Sequence, residues 1–185
     1  MNIKSSCFIH KANISLDPAY AGFFIGCFVM LNIAFICTHN SCRSIMAEAV
    51  AKSIASKHFN AYSAGSNPSG KINAKALEIL QNNHIRTNNL TSKSIDNLSQ
   101  IRFDAVITLC GHAQNEPCPI WVGDCIKDHW GFEDPSACAD GPEKDKAFQD
   151  LFDKLKRVIL RLDELIENNP HQLAQHIKLI KETLI

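Results

Sequence analysis

The chain has 185 residues, of which 45% are hydrophobic and 21% are charged, so it is long enough for one globular domain with a substantial core. Lys and Arg together number 19, as do Asp and Glu, and this zero net charge excludes the broadly basic surface typical of nucleic-acid binding. The eight cysteines are irregularly spaced. That spacing favours catalytic or buried thiols in a reducing cytoplasm over the disulfide framework of a secreted protein.

The first 30 residues are an extension that fits poorly with the chain that follows. Residues 19–31 read AYAGFFIGCFVML, an apolar stretch that is too short for a membrane span of about 20 residues. Three interpretations stay open: Met30 is the true start, the stretch forms a peripheral apolar helix, or it anchors the chain to a membrane. A signal peptide would direct the chain to an oxidising compartment, which conflicts with the thiol chemistry described below. Of the three interpretations, the membrane anchor is the least expected.

From Leu31 onwards, short apolar strands alternate with amphipathic helices. The predicted strands cover residues 31–36, 60–64 and 103–109. The predicted helices cover residues 44–57, a segment capped by Asn73, residues 143–168, and a last segment after the break at Asn169-Pro170. Residues 90–94 are ambiguous, and residues 110–139 are predicted as a long loop. The alternation predicts a single-domain, three-layer α/β fold with a central parallel sheet and an extra C-terminal helix.

The stretch from Phe35 to Ala51 carries the strongest functional signal. It predicts a strand end, a polar turn and a helix, with five residues between Cys37 and Arg43. Such a turn directs successive backbone N–H groups at one point, and the helix dipole adds positive charge there. Arg43 supplies a planar fork for a tetrahedral oxyanion, and the same field stabilises a thiolate at Cys37. The expected oxyanion-binding residues are Thr38, His39, Asn40, Ser41, Cys42, Arg43 and Ser44.

Four motifs in the same order resemble the low-molecular-weight tyrosine phosphatase fold, and within it the arsenate reductases that use three cysteines. They are the Cys37 loop, Tyr62-Ser63-Ala64-Gly65, Thr108-Leu109-Cys110 followed by Cys118-Pro119, and the run from His129 to Pro135, HWGFEDP. The resemblance covers about residues 31–168. The chain therefore divides into an N-terminal extension (1–30), a phosphatase-like arsenate reductase domain (31–168) and a C-terminal helical extension (169–185).

The resemblance implies a mechanism for arsenic detoxification in which Cys37 attacks arsenate. Arg43 holds the oxyanion and Asp134, fixed on its loop by the following proline, protonates the leaving oxygen. Cys110 then attacks the Cys37 sulfur, arsenite leaves, and Cys118 moves the disulfide outwards. No tightly bound cofactor is implied. The electrons come from thioredoxin, or from glutaredoxin with glutathione, and the sequence does not choose between these donors.

Two other functions stay open at this point. The first is a phosphatase acting on phosphotyrosine or small phosphoesters through Cys37, although phosphatases of this fold typically carry tyrosine where Ser136 follows the Asp-Pro pair. The second is a non-catalytic regulator that binds an oxyanion or a metal. Six potential zinc ligands lie close in sequence: Cys110, His112, Cys118, Cys125, His129 and Cys138. They lack the paired spacing of structural zinc sites, so no metal is expected.

One position departs from the family pattern. In some thioredoxin-linked members a potassium ion lies under the loop, held by groups that correspond here to Asn40, Glu48 and Ser63. The acidic residue that completes that site corresponds to Lys93 in this chain. We expect the Lys93 ammonium to replace the ion and to pair with Glu48, which makes the protein independent of potassium.

Overall fold

The structure is a computed structural model that describes residues 30–55, 57–111 and 123–185. Its strands are β1 (Leu31–Cys37), β2 (Phe59–Gly65), β3 (Ala105–Thr108) and β4 (Ile126–His129). Its α-helices are α1 (Arg43–Ile54), α2 (Ala74–Asn82), α3 (Pro142–Asn168) and α4 (Leu173–Leu184). Short 3-10 turns lie at Ile95–Leu98, Pro135–Ala137 and Pro170–Gln172. The expectations for residues 1–29, His112 and Cys118 fall outside the described ranges.

The four strands form one parallel sheet in the order β2-β1-β3-β4, which confirms the predicted α/β class. In the register of the sheet Cys37 lies beside Gly65, Ile36 beside Thr108, and Thr108 beside His129. All four strands therefore end at the same edge. Loops at this edge of a parallel sheet are the usual place for a binding site, and the Cys37 loop lies there.

The core lies mainly on one face of the sheet. The long helix α3 contributes its apolar stripe to that core: Phe148, Leu151, Phe152, Leu155, Val158, Ile159, Leu162 and Ile166. The last helix, α4, joins the same core through Leu173, Ile177 and Ile180. Lys181 of α4 also contacts β4, where its Nζ lies 2.8 Å from Asp128 Oδ1. A smaller apolar cluster, built around Val106, covers the opposite face.

The prediction of a loop over residues 110–139 was wrong for Ile126–His129, which forms the edge strand β4. This segment reads Ile-Lys-Asp-His and holds a single apolar side chain, so neither alternation nor an apolar run marks it as a strand. Its pairing with β3 creates the strand, because backbone hydrogen bonds need no particular side chains. The predicted N-cap of α2 is confirmed: Asn73 Oδ1 accepts hydrogen bonds from the N–H groups of Lys75 and Ala76.

In the described part of the chain, no helix combines the length and the apolar character needed to cross a bilayer.

Candidate active site

The loop that connects β1 to α1 has its carbonyl groups turned outwards. The carbonyl of Thr38 accepts the N–H of Asn67 at 2.9 Å, that of His39 accepts Ser69 N–H at 3.0 Å, and that of Ser41 accepts Asn73 N–H at 2.9 Å. In a trans peptide the N–H of the next residue points the opposite way. The N–H groups of residues 39, 40 and 42 therefore turn towards the inside of the loop, which gives the predicted anion nest.

The backbone N–H groups that hold those carbonyls come from residues 67–73, a segment that was not predicted to belong to the site. The sequence Ser66-Asn67-Pro68-Ser69-Gly70 predicts a break between secondary-structure elements, and nothing in it indicates that its backbone orients another loop. Gly65, at the end of β2, lies still closer to the Cys37 loop. A Cβ atom built at this glycine would lie 2.5 Å from the Thr38 oxygen and 3.0 Å from the Asn40 nitrogen. Only a hydrogen fits in that space.

We expect Gly65→Ala to weaken oxyanion binding and to lower the free energy of unfolding by about 1–3 kcal/mol, the usual range for overpacking in a closely packed region. The added methyl group must push away the Thr38 carbonyl, which holds one peptide of the nest in place. Calorimetric titration with inorganic phosphate and thermal unfolding measure the two effects. Gly70→Ala is an unsuitable control because Gly70 has a φ of 71°. Gly111→Ala is suitable because no described atom lies within 4 Å of a Cβ there. Unchanged phosphate affinity in Gly65→Ala would contradict the prediction.

Arg43 is the first residue of α1 and links the Cys37 loop to the acidic loop around Asp134. Its Nη2 lies 2.7 Å from Asp134 Oδ2, and its Nη1 donates to the Phe132 carbonyl at 3.1 Å. Its Nε is buried and has no hydrogen-bond partner among the described residues. No side chain caps the N-terminus of α1. The free N–H groups of a first helical turn, together with Arg43 Nε, supply donors that an oxyanion can accept from.

Cys37 receives a hydrogen bond that stabilises its thiolate. Its Sγ lies 2.9 Å from Ser44 Oγ, and Asn40 Nδ2 donates to the same Ser44 oxygen at 2.9 Å. Because Asn40 already donates to Ser44, the hydroxyl hydrogen of Ser44 is free to point at the sulfur. Asn40 has a φ of 44°, a conformation that asparagine tolerates better than most residues. Its buried amide thus fixes the donor to Cys37.

Beneath the loop, Asn40 continues into a buried polar network around Glu48. Asn40 Nδ2 donates to Ser63 Oγ at 2.9 Å, and Ser63 in turn donates to Glu48 Oε2. Two ammonium groups neutralise this carboxylate: Lys93 Nζ lies 3.3 Å from Oε2, and Lys52 Nζ lies 2.5 Å from Oε1. The groups expected to hold potassium are brought together here, but with a lysine ammonium among them. A potassium ion does not fit this set, because the ammonium already supplies the positive charge.

The Glu48 network predicts that activity is the same in potassium and sodium salts at equal ionic strength. Lys93 contributes a fixed charge where an exchangeable ion would otherwise be needed. Initial rates measured in chloride salts of the two cations check this. Lys93→Asp is the informative variant, since it restores an acidic group beside Glu48 and should make the rate rise with potassium. Activation of the unsubstituted protein by potassium over sodium would contradict the prediction.

Cys110 lies beside Cys37, as expected from two adjacent parallel strands. The two buried cysteines form a small contact cluster of their own, separate from both apolar clusters. Cys110 Sγ also lies 3.4 Å from the hydroxyl oxygen of Thr38, within the range for a bond to sulfur. The structure therefore brings together Cys37 and Cys110 while both thiols are free. Cys118 is outside the described residues.

Cys42 is a third thiol at the site, and its environment keeps it protonated. Burial raises the pKa of Cys42 far above its ordinary value, and the neighbouring Asp134 carboxylate raises it further, against a smaller lowering by Arg43. The side chain packs into the main core and bonds to Ser136. This agrees with the expectation that Cys42 is a packed thiol without a catalytic role.

Asp134 lies at the site, at the start of the 3-10 turn Pro135–Ala137. Its Oδ1 accepts the N–H of Ser136 at 3.0 Å, and its Oδ2 pairs with Arg43. About two-fifths of the Asp134 side chain is exposed, since its relative accessible surface is 41%, so it can exchange protons with water. Glu133, the neighbouring carboxylate, is also exposed but makes no ion pair among the described residues. Asp134 is therefore the better-placed acid.

His39 is exposed at the rim of the loop, and the site uses its backbone rather than its imidazole. Of the six potential zinc ligands, the structure describes four: Cys110, Cys125, His129 and Cys138. Within residues 30–55, 57–111 and 123–185, no three His, Cys, Asp or Glu side chains come together as a metal site. His129, for example, bonds through Nδ1 to Thr108 Oγ1 at 2.9 Å, and burial, aided by Lys181, lowers its pKa.

Comparison with known proteins relates this geometry to a family. The model of the low molecular weight phosphotyrosine protein phosphatases matches residues 32–178. An arsenate reductase of Staphylococcus aureus is 44% identical over 127 residues, which cover 69% of this chain and 92% of the relative. The structure of an arsenate reductase in the phosphate-binding state has a TM-score of 0.61 at 27% identity, covering 74% of this chain and 99% of the other.

A thioredoxin-dependent arsenate reductase of Corynebacterium glutamicum is also similar, with a TM-score of 0.57 at 25% identity over 75% of this chain and 63% of the other. The family model spans most of the chain, and the matched relative is covered nearly end to end. The chain therefore belongs to the low molecular weight phosphotyrosine protein phosphatase family, among its arsenate reductases.

Proposed function

We propose that this protein reduces arsenate to arsenite, with Cys37 as the nucleophile and Cys110 as the second thiol. The observation that carries the proposal is the contact between these two buried cysteines at the base of an anion-binding loop. A two-electron reduction needs two thiols that can form a disulfide. The relatives named as arsenate reductases support the same function.

In the first step the Cys37 thiolate attacks arsenic. The loop N–H groups and Arg43 hold the arsenate oxygens, and Ser44 stabilises the thiolate until the attack. The incoming oxyanion competes with Asp134 for Arg43, so Asp134 exchanges its ion pair for a position beside a negatively charged ligand. Asp134 then acts as the general acid and donates a proton to the departing oxygen. Water leaves, and a Cys37–arsenic bond has formed.

In the second step the Cys110 sulfur attacks the Cys37 sulfur. The electron pair of the sulfur–arsenic bond passes to arsenic, which leaves as arsenite, and a Cys37–Cys110 disulfide remains. The Thr38 hydroxyl oxygen lies 3.4 Å from the Cys110 sulfur, within the range for a hydrogen bond between the two groups. Cys37 ends β1 and Cys110 lies two residues beyond the end of β3, and their side chains are already in contact, so the attack requires no change in the strands.

In the third step the Cys118 sulfur attacks the Cys110 sulfur of the disulfide. Cys37 is released as a thiolate, and the new Cys110–Cys118 disulfide is accessible to a reductant. This role follows from the resemblance alone. Similarity to the thioredoxin-dependent enzyme of Corynebacterium glutamicum supports thioredoxin as the electron donor. Glutaredoxin with glutathione remains the alternative donor.

A dithiol cycle of this kind requires a reducing compartment, so we place the protein in the cytoplasm. Its proposed role in the cell is the detoxification of arsenic.

Phosphate ester hydrolysis is a second candidate activity because arsenate and phosphate have nearly the same shape. Hydrolysis requires Cys37, Arg43 and Asp134 but only one thiol. Ser136 stands where related phosphatases have tyrosine, and its side chain bonds to Cys42 and lies 3.4 Å from Asn73. Without an aromatic wall for phosphotyrosine, we expect hydrolysis of aryl phosphates to be slow but measurable.

The test is arsenate-dependent NADPH oxidation by the purified protein with thioredoxin and thioredoxin reductase, repeated with glutaredoxin, glutathione and glutathione reductase. We expect consumption in the thioredoxin system, with loss of that consumption in Cys118→Ser. Cys138→Ser is the matched control, since Cys138 lies outside the Cys37 loop and beyond the acidic residue. Absence of consumption in both systems, together with hydrolysis of an aryl phosphate, would identify the protein as a phosphatase.

A further inference from the structure

The end of β4 leads directly into the acidic loop, residues 130–134. His129 is the last residue of β4, and in the register of the sheet it lies beside Thr108, the last residue of β3. Two residues beyond Thr108 the chain reaches Cys110. The same strand end therefore borders both the second thiol and the start of the loop that carries Asp134.

Backbone and core contacts hold the inner side of the acidic loop. The N–H of Trp130 donates to the Thr108 carbonyl at 2.8 Å, and the N–H of Phe132 donates to the Leu109 carbonyl at 3.2 Å. The side chains of Trp130 and Phe132 are buried in the main core. Gly131 lies between these two anchors, is exposed and has no side chain of its own. A contact that holds its outer side must therefore come from another residue.

The imidazole of His129 supplies that contact. Its Nδ1 lies 2.9 Å from Thr108 Oγ1, and its Nε2 lies 3.1 Å from the position of a Cβ atom built at Gly131. The ring thus spans two segments, with one edge bonded to β3 and the other packed on the acidic loop. Among the described residues, no hydrogen bond joins His129 to Cys37 or Arg43. It is therefore not placed to take part in the chemistry itself.

Two further groups fix His129 at the end of β4. Asp128 Oδ1 accepts the backbone N–H of His129 at 2.6 Å and pairs with Lys181 Nζ at 2.8 Å, so the C-terminal helix α4 braces this end of the strand. Burial lowers the pKa of His129, and Lys181 lowers it further, against smaller opposing effects of Thr108 and Asp128. The ring is therefore neutral at pH 7, with one donor nitrogen and one acceptor nitrogen.

The chain beyond Gly131 leads straight to the acid. The Phe132 carbonyl accepts a hydrogen bond from Arg43 Nη1 at 3.1 Å, and Asp134 Oδ2 lies 2.7 Å from Arg43 Nη2. When an oxyanion takes over part of the guanidinium, the pair with Asp134 weakens, and the other supports of the loop decide where the carboxyl lies. A displacement at Gly131 is then passed along the chain to Asp134.

We propose that His129 is a positioning residue for the general acid. Its ring, bonded to Thr108, holds Gly131 in place and so keeps the Asp134 carboxyl within reach of the departing oxygen. This inference rests on the proposed role of Asp134 but not on arsenate as the substrate, because the same acid protonates the leaving oxygen of a phosphate ester. A positioned acid contributes about 10²–10⁴-fold to the rate, and we expect the loss of this one support to remove about tenfold.

The experiment compares kcat/KM for phenyl phosphate and 4-nitrophenyl phosphate in the unsubstituted protein, His129→Leu and His129→Asn. Phenolate is the more basic leaving group and depends more on protonation, so a misplaced acid slows phenyl phosphate more. We expect His129→Leu to lower kcat/KM about tenfold for phenyl phosphate and much less for 4-nitrophenyl phosphate. The affinity for inorganic phosphate, measured by calorimetry, should not change. His129→Asn places a polar atom near the position of Nδ1 and should recover most of the loss.

Three further variants separate positioning from a general effect on the fold. Gly131→Ala disturbs the same contact from the other side, because its methyl group and the His129 ring must move apart, and it should show the same preference for the better leaving group. In an Asp134→Asn background, His129→Leu should have no further effect, since the acid that it positions is gone. His171→Leu is the matched control, since His171 is exposed in the 3-10 turn Pro170–Gln172.

Thermal unfolding of each variant tests whether the fold is intact, and Gly131→Ala replaces His129→Leu if the latter does not fold. Equal losses for the two esters, no loss, a loss of phosphate affinity, or hydrolysis of neither ester by the unsubstituted protein would overturn the proposal. The unsubstituted protein is also assayed for arsenate reduction. Arsenate reduction with an unchanged ester preference in His129→Leu contradicts this inference alone. A changed preference without arsenate reduction supports the inference and contradicts the proposed function, so the two failures are distinguishable.

Discussion

Replacement of Arg43 by lysine is expected to lower kcat/KM for arsenate by about 10²–10³-fold, equivalent to about 3–4 kcal/mol of transition-state stabilisation. The guanidinium donates from two separate nitrogens, to Asp134 and to the Phe132 carbonyl, and no residue in the described part of the chain accepts a hydrogen bond from its Nε. An ammonium group is a single point charge and cannot grip both the acidic loop and an oxyanion. The variant therefore loses both the contacts of Arg43 with the oxyanion and the ion pair that positions Asp134.

The Arg43→Lys prediction is checked by steady-state kinetics with arsenate and by calorimetric titration with inorganic phosphate. Arg161→Lys is the matched control, since Arg161 lies far from the Cys37 loop in sequence and pairs with Glu164 on the exposed side of α3. An exposed pair of that kind contributes little. Thermal unfolding of both variants tests whether the fold is intact. A loss below tenfold in Arg43→Lys, with the fold intact, would show that the loop N–H groups alone hold the oxyanion.

Replacement of Cys110 by serine is expected to abolish steady-state arsenate reduction while hydrolysis of an aryl phosphate continues. The substitution removes the sulfur that must attack Cys37, but it leaves the Cys37 loop, Arg43 and Asp134 unchanged. Serine is close to cysteine in size and can still bond to Thr38, so the site should keep its shape. This opposite response of the two reactions separates a reductase from a phosphatase, because hydrolysis requires one thiol and reduction requires two.

For Cys110→Ser the measurements are NADPH oxidation with arsenate and thioredoxin, and release of nitrophenol from 4-nitrophenyl phosphate. Cys138→Ser, at the end of the 3-10 turn after Asp134, should retain both reactions. Persistent arsenate turnover in Cys110→Ser would require a different second thiol. Loss of both reactions in a folded protein would assign Cys110 a role in the shape of the Cys37 loop.

Local patterns were sufficient for much of the fold. Apolar runs mark β1 and β3, because central parallel strands need apolar side chains on both faces. The apolar stripe from Phe148 to Ile166 marks α3 at once. β4 carries no comparable pattern, since an edge strand is formed by its backbone pairing with β3 and its side chains are mostly polar. Pairing partners distant in sequence are not encoded in a local period.

The sequence by itself determined the elements of the anion site. The spacing of Cys37 and Arg43 between a strand and a helix predicts a nest. This signal is local, because a loop of five residues leaves the backbone few conformations. The assignment of Asp134 as the acid depends on the family resemblance, since an Asp-Pro pair alone is an ordinary turn signal. The identity of the motifs also related Cys110 and Lys93 to known positions in the family.

The tertiary structure alone decided how these pieces meet. Parallel pairing places the ends of β1 and β3 side by side, which brings Cys110 against Cys37 across 72 intervening residues. Packing also decides which cysteine lies against Cys37. Cys110 forms a contact cluster with Cys37, whereas Cys42, which is far closer in sequence, packs into the main core. The backbone of residues 67–73 turns the loop carbonyls outwards, and Gly65 leaves the space for them. These relations depend on contacts between distant segments, which no spacing within one segment can specify.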